Sequence, residues 1–328
     1  MDLNYKILIK ISSLILAVTG ISMIPSIICA AVYGETTCLK AFAFFFVLFT
    51  AAGFLIYKAV PARYSHISAR DGFLIVAACW IVSCLFGAFP YMFSGEGFTF
   101  AQSVFESTAG FTTTGATSVS GFLGPKSLIL FKAVAHWLGG MGILILAVSI
   151  LPALGIGGQN IAKAETPAPK VDKLSNRISD SARILYIMYL MLSLIEFILL
   201  MFNRKVTVFD ALVNTLSTIS TSGIITHEAG LAFYESFYVE MVITVFTIFA
   251  SINFNLYYFL LNRRIKEFFG NTELRAFLGI VGVVTVIITV NLWINGIYGG
   301  LFSSLRYAFI QVVSFISTSG FTFTNFMT

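Results

Sequence analysis

Charged residues make up 11% of this 328-residue chain and hydrophobic ones 58%, whereas soluble globular domains carry close to a quarter charged residues. With a mean hydropathy of +0.91, an ordinary soluble domain is excluded and a polytopic membrane protein is expected. The net charge of +5 would suggest a nucleic-acid partner in a soluble protein; here the basic residues follow a membrane pattern instead, and no nucleic-acid partner is expected.

Crossing a hydrocarbon layer of ~30 Å takes roughly 20 helical residues. Open strands cannot cross, because lipid leaves their backbone groups unsatisfied. Apolar windows of sufficient length occur at Ile7–Tyr33, Leu39–Val60, Gly72–Phe93, Ser127–Leu151, Ala182–Phe202, Phe233–Leu261 and Leu274–Trp293, which predicts seven spanning helices. The first run, after Lys6 and Lys10, is too long for a signal peptide, and Ile27-Ile28 before Cys29 is no cleavage site. Cys29, Cys38, Cys79 and Cys84 lack metal-ligand spacing and read as core packing, with a Cys29–Cys38 bridge left open. Phe89-Pro90 ends the third span, and Gly124-Pro125 starts the fourth, where Pro suits a helix start. Gly155–Lys173 reads as a linker.

Fourteen of the twenty basic residues precede the first span or fall in every second connection: Lys6 and Lys10; Lys58, Arg63 and Arg70; Lys163, Lys170, Lys173, Arg177 and Arg183; Arg263, Arg264, Lys266 and Arg275. Positive charge accumulates on the cytoplasmic side, so the N-terminus and these connections are expected inside.

Three segments between the long apolar runs repeat one another: Thr112-Thr113-Thr114-Gly115, Ser220-Thr221-Ser222-Gly223 and Ser317-Thr318-Ser319-Gly320. Their glycines are 108 and 97 residues apart. Each segment follows a half-length amphiphilic stretch, Ala101–Gly110, Asp210–Ile219 or Tyr307–Ile316. Such self-similarity marks one supersecondary unit written three times. The half-length helices are too short to span and are expected to enter from the outer side and return. Irregular backbone at membrane depth is tolerated only in protein or facing water. The repeats are therefore expected to converge on one axis. A hydroxyl-rich strand ending in Gly can present backbone carbonyls to a cation and replace its hydration shell. Gly reaches φ > 0 without cost, and the carboxyl end of each half-helix favours positive charge. A channel-like cation transporter is the expected class.

The run Arg70-Asp71-Gly72-Phe73, then Gly87-Ala88-Phe89-Pro90-Tyr91, Phe105-Glu106-Ser107 and Thr112–Thr117, resembles the first unit of TrkH-type potassium-uptake subunits of the Trk/Ktr/HKT superfamily. So do His136-Trp137-Leu138-Gly139-Gly140-Met141-Gly142, Leu151-Pro152 and Gly157-Gly158-Gln159, while Asn253-Phe254 fits the second unit. The resemblance implies an all-α polytopic membrane protein with helix–re-entrant loop–helix units around one pore and an extra N-terminal helix pair. On this chain that gives the pair over residues 1–69, pore units over 70–159, 176–262 and 273–328, and a cytoplasmic linker over 160–175. The resemblance further implies K⁺ held by carbonyls of Thr113, Thr114, Gly115, Thr221, Ser222, Gly223, Thr318, Ser319 and Gly320. It also implies a bacterial inner-membrane location, a homodimer and a cytoplasmic nucleotide-binding ring as regulator. The second long helix of unit three and all of a fourth unit are missing from the chain. A C-terminally truncated subunit is expected on that ground; the alternative is a non-conducting remnant, or a partial subunit completed by a second polypeptide.

Glu106, Asp210, Glu96, Glu228, Glu235 and Glu240 lie on the outer side and could form an electronegative vestibule or simply be solvated. His136 is expected to be buried and hydrogen-bonded near Gly139-Gly140. Glu196, inside the fifth span, is expected to face protein, and Lys132 to face protein or extend to the interface. No nucleophile–base pair, metal-ligand cluster or phosphate-binding loop is found, so no enzyme and no cofactor are expected.

Overall fold

A computed structural model describes residues 5–61, 69–119, 124–142, 178–261 and 263–321. These residues form helices and connecting loops, with no strand among them. The chain divides into two compact units, Met1–Tyr186 and Ile187–Thr328.

The first unit contains α1 (Tyr5–Ile21), α2 (Ile24–Tyr33), α3 (Thr36–Ala59), α4 (Ala69–Gly87), α5 (Phe89–Met92), α6 (Phe100–Phe111) and α7 (Lys126–Gly140). Two of the expected spans in this unit are broken. The first is interrupted at Ser22-Met23 because Pro25, in the first turn of α2, cannot continue the hydrogen-bond ladder of α1. The third breaks at Ala88, just before Phe89-Pro90. Helix α1 packs along α3, where Gly53 lets the backbones meet: a Cβ there would lie 2.6 Å from Ser13 O and 2.7 Å from Ala17 N. Phe42, Phe45, Phe49, Tyr91 and Phe131 form the buried aromatic centre of the unit, with Phe42 and Phe131 edge-on at 5.3 Å. Glu35 caps α7 from a distance. Its carboxylate accepts the backbone N–H groups of Lys126 at 2.7 Å and Ser127 at 3.1 Å, where the helix dipole favours negative charge. No cysteine is in a disulfide, so the Cys29–Cys38 bridge is not formed.

Helix α8 (Ile178–Met201) runs into the second unit. There follow α9 (Val208–Ile219), a short 3₁₀ turn (Gly230–Tyr234), α10 (Phe237–Ser251), α11 (Phe254–Leu261), α12 (Ile265–Gly270), α13 (Thr272–Ile294) and α14 (Leu301–Ile316). The sixth expected span begins later than its apolar window and breaks at Ile252-Asn253. Helix α10 packs on α9 and α14, and α14 on α13. The outer face of α13 exposes Ile280, Val283, Ile287 and Ile294, as a lipid-facing helix does.

Four described segments are long and apolar enough to cross a bilayer: Tyr5–Tyr33, Thr36–Ala59, Asp71–Met92 and Thr272–Ile294. The fourth expected span is described as helix only to Gly140, and the Gly155–Lys173 linker lies outside the described residues.

Replacing Gly53 by Val should force α1 from α3 and destabilise the first unit by about 1–3 kcal/mol, the usual cost of overpacking. A lower thermal midpoint in detergent checks this; an unchanged midpoint would show that the contact yields freely.

Candidate functional site

The half-helices α6, α9 and α14 are 12, 12 and 16 residues long, and each begins before the apolar pattern suggested. The missed signal is capping. Thr99 accepts from Gln102 N while Gln102 Oε1 accepts from Thr99 N, a reciprocal capping box. Thr207 accepts from Asp210 N in the same register. Helix α14 follows Gly300, whose carbonyl accepts the Ser304 hydroxyl.

The carboxyl ends are where the three segments coincide. In loop one, Thr113 N–H bonds Gly110 O at 3.1 Å and Thr114 N–H bonds Ala109 O at 3.0 Å. Loop two repeats this 108 residues on, with Thr221 N–H on Thr218 O and Ser222 N–H on Ser217 O, both at 2.9 Å. This pair of bonds is the Schellman ending, which requires a left-handed residue just past the helix, usually Gly. Here that residue is threonine, with φ of 55° at Thr113, 51° at Thr221 and 61° at Thr318. A β-branched side chain in this region is strained by about 1–3 kcal/mol. Loop three keeps the Thr318 N–H bond to Phe315 O and closes with Gly320 N–H on Ser314 O at 3.3 Å.

Two residues later the backbone is left-handed again, at Gly115 (φ 70°), Gly223 (66°) and Gly320 (71°). Each loop is therefore left-handed, one residue, left-handed, rather than the strand expected from sequence. In a regular strand, successive carbonyls would point to alternate sides. Left-handed residues on both sides of the middle one break that alternation.

The residue after each Gly is fixed by a different device. Lys132 Nζ donates to Ala116 O at 2.6 Å, Ile224 N–H donates to Ser217 Oγ at 2.6 Å, and Ser314 Oγ donates to Phe321 O at 2.8 Å. Ser217 and Ser314 stand six residues before the loop glycine, where loop one has Ala109. Sequence reading missed both serines, although the repeat register would have found them. Ala109 O instead faces His136 Nε2 at 3.0 Å. His136 is fully buried on α7, and Gly139, one turn on, admits the Phe111 carbonyl where a Cβ would collide.

Loops two and three touch through their backbones. At Gly223 a Cβ would fall on the Ser319 carbonyl, so only glycine fits on steric grounds as well as by φ. Of the nine residues singled out from sequence, the second unit thus brings together Thr221, Ser222 and Gly223 with Thr318, Ser319 and Gly320; Thr113, Thr114 and Gly115 belong to the first unit.

Of the six outer acids, four have partners. Glu106 is buried and salt-bridged to Lys132 at 2.6 Å, and it also accepts Thr117 Oγ1, Ser118 N and Ser118 Oγ. Glu240 is buried against Arg306, whose Nη2 and Nε stand 2.6 and 2.8 Å away, joining α10 to α14. Asp210 accepts Thr207 Oγ1 and lies 3.2 Å from His227 Nε2. Glu235 pairs with Lys205 at the surface. Glu96 and Glu228 are exposed. Acids placed near lipid are neutralised by partners because an unpaired charge there is expensive. Lys132 faces protein, and Glu196 is fully buried. Among the described residues, no group of three or more His, Cys, Asp or Glu could hold a metal.

Half-length helices ending in glycine-bearing, left-handed loops, set among long apolar helices, define a polytopic helical membrane protein. The chain belongs to the TrkH family, described as cation transport proteins, whose pattern matches residues 38–326. It is 34% identical over 313 residues to the Trk system potassium uptake protein TrkH of Salmonella typhimurium, covering 94% of this chain and 64% of that protein. With TrkH of Halomonas elongata it shares 33% identity over 332 residues, 99% of this chain and 68% of the relative. The crystal structure of the potassium transporter TrkH from Vibrio parahaemolyticus superposes with a TM-score of 0.82 at 28% identity, covering 99% of this chain and 66% of that one. The chain thus spans somewhat less than two thirds of the Salmonella relative.

Glu106→Gln should cost about 3–5 kcal/mol, because Lys132 is left as an uncompensated buried charge. The double variant Glu106→Gln, Lys132→Met should recover most of that loss in thermal unfolding; a double variant as unstable as the single one would deny the coupling. Thr221→Gly should instead stabilise the protein by about 1 kcal/mol by relieving the left-handed strain, so a lowered melting midpoint would refute the strain.

Proposed function

We propose that the chain is a pore-forming subunit for K⁺ translocation across a bacterial inner membrane. The observation that carries this reading is the recurrence of the left-handed Thr–x–Gly geometry at three helix ends, with loop two packed backbone to backbone on loop three. Thr113, Thr114, Gly115, Thr221, Ser222, Gly223, Thr318, Ser319 and Gly320 would supply carbonyls to a dehydrated cation, aided by the negative ends of α6, α9 and α14. The relatives are named as potassium uptake proteins of a Trk system, which makes K⁺ the favoured ion. In this reading residues 1–69 are an accessory helix pair, 70–159, 176–262 and 273–328 are pore units, and 160–175 link the first two. A homodimer and a cytoplasmic nucleotide-binding ring are the partners that the family resemblance favours. Basic Arg263, Arg264, Lys266 and Arg275 favour a cytoplasmic side for that connection and for the N-terminus; most of the Lys163–Arg183 connection lies outside the described residues.

Purified protein in liposomes should pass K⁺ in preference to Na⁺, and Gly223→Ser should abolish that flux or its preference while leaving membrane insertion intact. Wild-type flux no greater than that of empty liposomes would refute the reading. Unchanged flux and preference in Gly223→Ser would remove loop two from the filter.

A further inference from the structure

Glu196 stands within α8, fully buried, and neither carboxyl oxygen makes a hydrogen bond. Its polar neighbour is the Thr218 hydroxyl on α9, which is buried and likewise lacks a hydrogen bond. Thr215, one turn earlier on the same face of α9, is in the same condition. No charged side chain among the described residues acts on Glu196. Among the described residues of this unit, salt bridges lie elsewhere, between Lys205 and Glu235, Arg264 and Glu267, and Arg306 and Glu240, while Asp210 stands beside His227.

An ionised carboxylate without a partner cannot be held in such a place, since its loss of hydration exceeds what a fold can repay. A proton removes the charge and supplies the O–H that a facing hydroxyl oxygen can accept. We propose that Glu196 carries its proton at neutral pH and donates it to Thr218 Oγ1, and that it is thereby a positioning residue for the second loop.

The consequence for the loop follows from the position of Thr218. Its carbonyl accepts the N–H of Thr221, the strained residue that opens the loop, so the carboxyl group holds the turn from which Thr221–Gly223 departs. At the repeat spacings, Gly110 and Phe315 occupy this place in loops one and three. Neither residue carries a hydroxyl. At this place a carboxyl–hydroxyl contact is therefore open to loop two and not to the other two. Calling that loop a filter rests on the function proposed above, but the protonation and the positioning do not.

Infrared difference spectra of wild type against Glu196→Gln in lipid at neutral pH should contain a protonated carboxylic C=O band, shifted in Thr218→Val by loss of the hydrogen bond. Carboxylate bands in its place, or a band that Thr218→Val leaves unmoved, would overturn the assignment. Hydrogen exchange reads the positioning. In Glu196→Leu the amides of Thr221 and Ser222 should exchange about tenfold faster, while those of Ser317 and Thr318 keep their protection and Glu196→Gln stays within about twofold of wild type. Uniform acceleration across the unit, or none at Thr221 and Ser222, would refute the positioning role. Neither experiment depends on ion flux, so the protonation and the positioning stand or fall separately from the pore.

Discussion

Everything in this structure answers to one constraint: backbone polar groups at membrane depth must find partners within the protein. Long helices meet it internally, but a helix that stops inside the membrane does not, because its last carbonyls are orphaned. The chain resolves this with the Schellman closure at Thr113 and Thr221, and at Thr318 with a variant in which Gly320 N–H takes the second carbonyl. That closure satisfies the carbonyls of the last turn and leaves those of the following residues uncommitted to the helix. Accepting a β-branched residue in a left-handed conformation is the local cost, and strain of this kind persists only where the surroundings over-determine it.

The surroundings differ from loop to loop although the pattern of left-handed residues does not. Loop one is supported by side chains of α7: Lys132 on Ala116 O and His136 on Ala109 O. Loops two and three carry their own support in Ser217 and Ser314. Three unlike sets of contacts produce the same alternation of dihedral angles, which indicates that the geometry itself, rather than any particular contact, is what the repeats have in common.

Ion pairing follows the same economy. Glu106–Lys132 ties α6 to α7, and Glu240–Arg306 ties α10 to α14; each joins a half-helix to a neighbouring helix. Buried charge used in this way holds position more than it adds stability, since the desolvation of both partners offsets much of their attraction. It also removes these acids from any field at the outer surface.

By itself the sequence determined the membrane class, four of the apolar spans, the three loops and their glycines, because hydropathy and repetition are local properties read directly from residue order. The burial of His136 and Glu196 was also legible, since isolated polar groups in apolar helices must face protein, whereas for Lys132 the sequence left protein and interface both open. The tertiary structure alone decided three things. It placed threonines rather than only glycines in left-handed backbone, because φ at a helix end depends on which carbonyls the next two N–H groups reach. It paired acids that lie 26 and 66 residues from their partners, turning an apparent acidic mouth into two buried bridges. It also set loop two against loop three so closely that Gly223 admits no side chain. Each depends on distances between segments far apart in the chain, which residue order does not carry.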